Sequence, residues 1–140
     1  KYIEKLNIYK KDGIIKSEKR RKKMTMCSRN ELEIILKQMI EVYRSVYGSE
    51  IVKVVLYGSY ARGDYREDSD IDIMILLDLS DIDIKQYRHE LAGETFDFNM
   101  DHDLDIKPIA KSEKHFLNWV DVYPFYANVK KEGVKLFDAA

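Results

Sequence analysis

Apolar positions along this chain follow two rhythms. Leu32, Ile35, Leu36, Met39, Tyr43, Val46 and Tyr47 recur at the spacing of one helix face. Ser28 and Glu31 form a capping box at its start, and Gly48 ends it. Residues 51–57 are a short β-branched apolar run, which predicts a buried strand. Residues 60–63 read as a short helical segment and 64–69 as a charged loop, before a second strand over 70–77. Ile84, Tyr87 and Leu91 put an amphipathic helix over 81–93, and the acidic stretch 94–103 reads as irregular, a mobile part of a substrate cleft. Alternation in 104–109 predicts a third strand, with Leu104 and Ile106 facing the core and Asp105 and Lys107 facing away. Pro108 puts that strand near its end or on a sheet edge. Ser112 caps a helix reaching about residue 122 that buries Phe116 and Trp119. Pro124 starts another, Gly133 ends it, and 134–137 closes as a short strand. The fold class is α/β: a small mixed sheet flanked by helices, mainly on one side.

Composition adds little to this picture. An apolar content of 45% is that of an ordinary globular chain, and 140 residues suffice for one domain. The apolar run 73–77 is far short of the roughly 18 residues of a membrane span, so no membrane partner is expected. No signal-peptide pattern opens the chain, although it begins at Lys1 rather than at a methionine. The single Cys27 cannot make an internal disulfide, which suits a cytoplasmic location.

Charge does change the picture. Residues 1–23 carry ten Lys/Arg against three acids, and the remainder fourteen against twenty-two. A basic N-terminal extension, 1–27, thus precedes the domain 28–140. Asp12-Gly13 could turn a hairpin within it, and Met24 and Met26 are alternative starts. The run 19–23 could meet RNA or an acidic partner, but it reads better as a solvated linker, so direct nucleic-acid binding is not expected.

The chemistry gathers in 56–77, LYGSYARGDYREDSDIDIMILL. Residues two apart in a strand share a face, so Asp70 and Asp72 point the same way, roughly 6.6 Å apart at their Cα atoms. Two such carboxylates repel unless a cation lies between them. Mg²⁺ is held by one or two carboxylates together with substrate phosphates. Gly58 lets backbone approach a ligand closely, and the Ser59 hydroxyl adds a donor to a turn whose N–H groups suit phosphate oxygens.

Gly58-Ser59, ten residues, then Asp70-Ile71-Asp72 resembles the signature of the polymerase-beta-like nucleotidyltransferase superfamily. Tyr57 to Asp64, YGSYARGD, looks most like its minimal nucleotidyltransferase branch, and 124–134 looks like the C-terminal end of some members. The resemblance implies that Asp70 and Asp72 bind two Mg²⁺ ions and that Gly58 and Ser59 hold the triphosphate of ATP. It also implies a third carboxylate, which binds one metal and takes the proton of the attacking hydroxyl. Asp105 fits by strand parity and chain order, with Asp103 as its competitor. Arg62 could pair with a phosphate or with Asp64 or another loop acid. Lys107 could approach a phosphate or stay solvated. Tyr57 and Tyr60 suit packing better than base stacking, and His89, His102 and His115 read as structural.

Larger members of the superfamily attach a further domain for the acceptor, and none is expected here beyond about residues 32–137, so the acceptor site is expected to come from another protein. The minimal branch resembles the antitoxin half of toxin–antitoxin pairs, whose partner is a helical HEPN-domain protein, usually an RNase. What this implies is AMP transfer from ATP to a tyrosine of that toxin. Two other readings stand beside it. One is a stand-alone adenylyltransferase acting on a small hydroxylated molecule such as an aminoglycoside. The other is an antitoxin that works by contact alone.

Overall fold

The computed structural model describes residues 29–139. The Ser28 cap, the Asp12-Gly13 hairpin and the basic run 19–23 lie outside the described residues. Helix α1, Arg29–Tyr47, buries the expected stripe: Leu32, Leu36, Met39 and Tyr43 are fully inaccessible. Gly48 ends it with φ +61°, a left-handed conformation that glycine adopts without a Cβ penalty. After a 3-10 turn, Gly48–Glu50, come β1 (Ile51–Tyr57), the short helix α2 (Ser59–Arg62) and β2 (Ile71–Leu77). Then follow α3 (Asp81–Ile84), running through a 3-10 turn at Lys85–Tyr87 into α4 (Arg88–His102), and β3 (Ile106–Ser112). Helices α5 (Glu113–Trp119) and α6 (Pro124–Glu132) precede β4 (Val134–Asp138).

The sheet order is β3-β2-β1-β4. β1 runs antiparallel to β2 and β4, while β2 and β3 are parallel, so the sheet is mixed as expected. β3 is an edge strand, which accommodates Pro108.

Three expectations need correction. Helices cover both faces rather than mainly one. Ile71, Ile73, Ile75 and Leu77 pack with α1 and α4, while Met74 and Leu76 pack with Phe116, Tyr126 and Val129 of α5 and α6. The unbroken run Ile73-Met74-Ile75-Leu76-Leu77 is what a strand buried on both sides looks like. Second, 94–102 is helix. Gly93 and the acidic residues disfavour it locally, but Thr95 and Phe98 are buried, and tertiary packing outweighs propensity. Third, α5 stops at Trp119 and leaves that ring 40% exposed instead of buried. The Ser112 cap is as expected, its hydroxyl accepting from the His115 N–H at 3.2 Å.

Candidate active site

The site forms at one end of the sheet, where β1 finishes and β2 and β3 begin. Register puts Tyr57 beside Asp72 across the β1–β2 pair, and Asp72 beside Lys107 across β2–β3. Asp70 and Asp105 lie just ahead of β2 and β3, and the Asp105 carbonyl accepts from the Ile71 N–H at 2.9 Å. The parallel pairing therefore brings Asp70 to Asp105 in the same way that it brings Asp72 to Lys107.

The carboxyls of Asp70 and Asp105 are within hydrogen-bonding reach, and the Lys107 ammonium stands 3.2 Å from Asp70 Oδ2. Two carboxylates held this close oppose each other's ionisation, which a cation between them relieves. The hydrogen bond from Asp105, helped by Lys107, holds Asp70 below the usual carboxylate range. Desolvation, then the hydrogen bond and charge of Asp70, push Asp105 up. Asp72 is also pushed up, first by burial and then by the charge of Asp70. Burial and the nearby Asp72 raise the Tyr57 hydroxyl to about 12.

Asp103 does not join this group. It caps α4 in a left-handed conformation, φ 58°, and is buried. Asp105, not Asp103, is among the groups that shift Asp70 and Lys107. The turn carrying Asp105 is fixed by Asn99 of α4. Its side-chain amide donates to the Ile106 carbonyl at 3.1 Å and accepts from the Ile106 N–H at 2.9 Å, standing in for a strand partner. Nothing in the alternation of 104–109 signals that residue, because its partner is reached only after the helix has turned back.

The glycine loop faces these carboxylates. Gly58 has φ +77° and ψ −156°, and a Cβ built on it would overlap Asp72 Oδ2. Its close approach to Asp72 is therefore a requirement of the site. Among the described residues the Ser59 hydroxyl makes no hydrogen bond. Arg62 pairs with acids: Nε donates to Asp64 at 3.3 Å, and Nη1 to both Glu132 oxygens at 3.2 Å. Glu132 also accepts from the Gly58 N–H at 3.2 Å. Sequence reasoning anticipated Asp64 as a partner and missed Glu132, 70 residues further on.

Tyr57 and Tyr60 are buried, and Tyr60 stacks on Tyr65 at 4.2 Å, so packing is their role. His102 accompanies Phe98, and His115 contacts the Tyr126 hydroxyl, both structural as expected. Among the described residues no three His, Cys, Asp or Glu side chains are grouped tightly enough to hold a metal ion alone. The donor set still suits magnesium, which takes one or two carboxylates and completes its shell with phosphate oxygens and water. Asp70, Asp72 and Asp105 offer hard oxygens only.

Comparison with known proteins decides the family. The model of the nucleotidyltransferase domain family matches residues 36–135, which span the loop, both strands and the C-terminal helix. The chain belongs to this family. Its relatives include a Methanocaldococcus jannaschii protein, MJ0604, whose name provisionally assigns it protein adenylyltransferase activity. The two are 37% identical over 108 residues, covering 75% of this chain and 97% of that one. The protein adenylyltransferase MntA of Thermococcus cleftensis is 32% identical over 82 residues, covering 55% and 81%. A solved toxin–antitoxin structure with AMP-PNP matches at TM-score 0.45 and 21% identity, over 75% of this chain and 73% of that one. The nucleotidyltransferase is thus an enzyme of nucleotide transfer. No helix among its described residues is long and apolar enough to cross a membrane.

Proposed function

We propose that this nucleotidyltransferase transfers AMP from ATP to a protein hydroxyl, a tyrosine of a HEPN-type toxin for which it is the antitoxin. The observation that carries the reading is the exposed aromatic surface that begins at Phe125, against Tyr57 at the end of β1. Two surface cavities, of about 310 and 240 Å³, lie away from Gly58, Asp70, Asp72 and Asp105, one lined by residues such as Ile84 and Leu91 and the other by Phe116 and Val129. Phe125 meets the Tyr57 ring edge-on at 5.6 Å and is 43% exposed, and the stacked Trp119 and Tyr123 are 40% and 42% exposed. Exposed aromatics of this kind suit a protein partner better than an aminoglycoside.

In this reading Gly58 and Ser59 receive the triphosphate, and Asp70, Asp72 and Asp105 hold magnesium. Bound magnesium would neutralise the phosphates and polarise the α-phosphorus. The tyrosine oxygen attacks that phosphorus in line, the bond to pyrophosphate breaks, and the phenolic proton passes to Asp105. Asp105→Asn is expected to lower turnover by about 10²-fold or more while MgATP binding persists, the scale of one positioned base. Asp103→Asn, which keeps a residue tolerant of left-handed backbone, leaves turnover unchanged. Single-turnover assays beside calorimetric titration check both, and the reverse order would reassign the base.

Intact-mass spectrometry of the toxin after incubation with the protein, ATP and Mg²⁺ tests the function. One or more AMP units on tyrosine, absent with Asp70→Asn, is the expected result. Equal inhibition by the Asp70→Asn protein without a mass change would favour the contact-only antitoxin.

A further inference from the structure

The mechanism above leaves Glu132 unused, although its position is costly. It is the last residue of α6, where the negative end of the helix dipole disfavours a carboxylate. Lys130 and Lys131 in the same turn are what that end prefers. Glu132 also lies near enough to Asp72 to oppose its ionisation. A residue that breaks a local rule twice calls for a compensating role.

Its contacts supply one. Glu132 Oε1 accepts from the Gly58 N–H and from Arg62 Nη1, both at 3.2 Å, and Oε2 accepts from the same Nη1. The carboxylate thus ties the residue before Ser59 to the residue three after it. Its own backbone is held firmly. A Cβ on the next residue, Gly133, would overlap the Val129 carbonyl and Val55 Cγ1, so α6 ends pressed against β1. β4 then pairs Val134 with Leu56 and Lys135 with Val55, on the strand that delivers the loop. The guanidinium is fixed from two sides, Nε by Asp64 and Nη1 by Glu132. A guanidinium has five N–H donors in a rigid fork, so its Nη2 donors remain for a ligand.

We propose that Glu132 is a positioning residue, which presets the Gly58-Ser59 loop and the Arg62 fork to receive the triphosphate of the nucleotide. It rests on the reading of that loop as the nucleotide site. Geometry held before binding costs nothing at the moment of binding, which is how a residue that never touches the ligand raises affinity.

Calorimetric titration with MgATP, in parallel with thermal melts, tests the role. Glu132→Ala is expected to weaken MgATP about 10-fold, the lower end for loss of a supporting hydrogen-bond partner. Glu132→Gln keeps an acceptor for both donors and should recover most of that loss. Glu132→Asp keeps the charge but withdraws it by one methylene, and should resemble Glu132→Ala; it decides the matter if the alanine variant does not fold. Glu132→Ala with Arg62→Ala should lose less than the product of the single effects, because the two act as a unit. A lower melting temperature with unchanged affinity would make Glu132 a structural anchor only and overturn the proposal. Tighter binding would also overturn it, making the carboxylate a competitor of phosphate. If the unaltered protein binds no MgATP, the nucleotide reading of the loop falls and the proposal with it.

Discussion

Asp72→Asn is expected to abolish AMP transfer and, at the same time, to raise the melting temperature in metal-free buffer at neutral pH. The loss follows from the carboxylate's place between Gly58 and Lys107, where a metal-bound triphosphate would lie. Charge stabilisation by a bound metal amounts to several kcal/mol, so turnover should fall by roughly 10³-fold or more. The gain in stability follows from electrostatics. Burial, then the charge of Asp70 and to a lesser extent that of Glu132, push Asp72 up, outweighing Lys107 and Arg62. A carboxyl whose pKa is raised by folding contributes stability below its unfolded pKa and loses it as pH rises through the folded value. At neutral pH the ionised group is therefore a burden on the fold, which a neutral amide of the same shape removes. Opposite signs for activity and stability mark a group kept for chemistry. A lowered melting temperature, or turnover within tenfold of the unaltered protein, would contradict this account.

Gly58→Ala should be damaging on both counts. Its φ of +77° with ψ −156° is a backbone region that is essentially glycine's alone. Forcing a side chain there costs about 1–3 kcal/mol, which lowers the melting temperature by roughly 5–15 °C in a domain of this size. The new methyl group would also drive the Asp72 carboxylate out of place, and a misplacement of about 1 Å can cost 10²-fold in rate. Gly48→Ala is the control. Gly48 has φ +61°, but a Cβ there meets nothing within 4 Å. It should lose stability through the backbone and keep its activity, since it lies at the far end of β1. Melting curves and turnover of the two variants side by side separate strain from the clash with Asp72.

Much of this was legible in local pattern. β1, the glycine loop and β2 announce themselves because strand periodicity, a Gly-Ser turn and two same-face aspartates coincide within 22 residues, 56–77. Asp105 fitted by strand parity and chain order, and Asp103 shares that parity; in the structure Asp103 is consumed as a helix cap. Residues 94–102 misread as irregular because Gly93 and three acids hide a helix whose stability comes from Phe98 and Thr95 against the core. Trp119 misread as core because α5 ends one turn early and leaves the ring stacked on Tyr123 at 5.2 Å. Asn99 and Glu132 were out of reach for another reason. Asn99 meets Ile106, seven residues on, across a turn that no periodicity encodes, and Glu132 meets a loop that the chain brings near only when β4 has joined β1. The one trace of Glu132 in the sequence is a carboxylate at a helix C-terminus, before a glycine.

The hydrogen bond from Gly58 to Glu132 spans 74 positions of the chain. Loop and clamp thus belong to different stages of folding: the β1–β2 hairpin can form from near neighbours, whereas β4 must close a long loop before it adds anything. The Gly58-Ser59 loop therefore gains its clamp only once β4 has closed on β1, even though its own residues are adjacent in sequence. The same link runs backwards in the native state. Any local opening that frays β4 from β1 withdraws the loop's support, and any ligand that rigidifies the loop suppresses that opening.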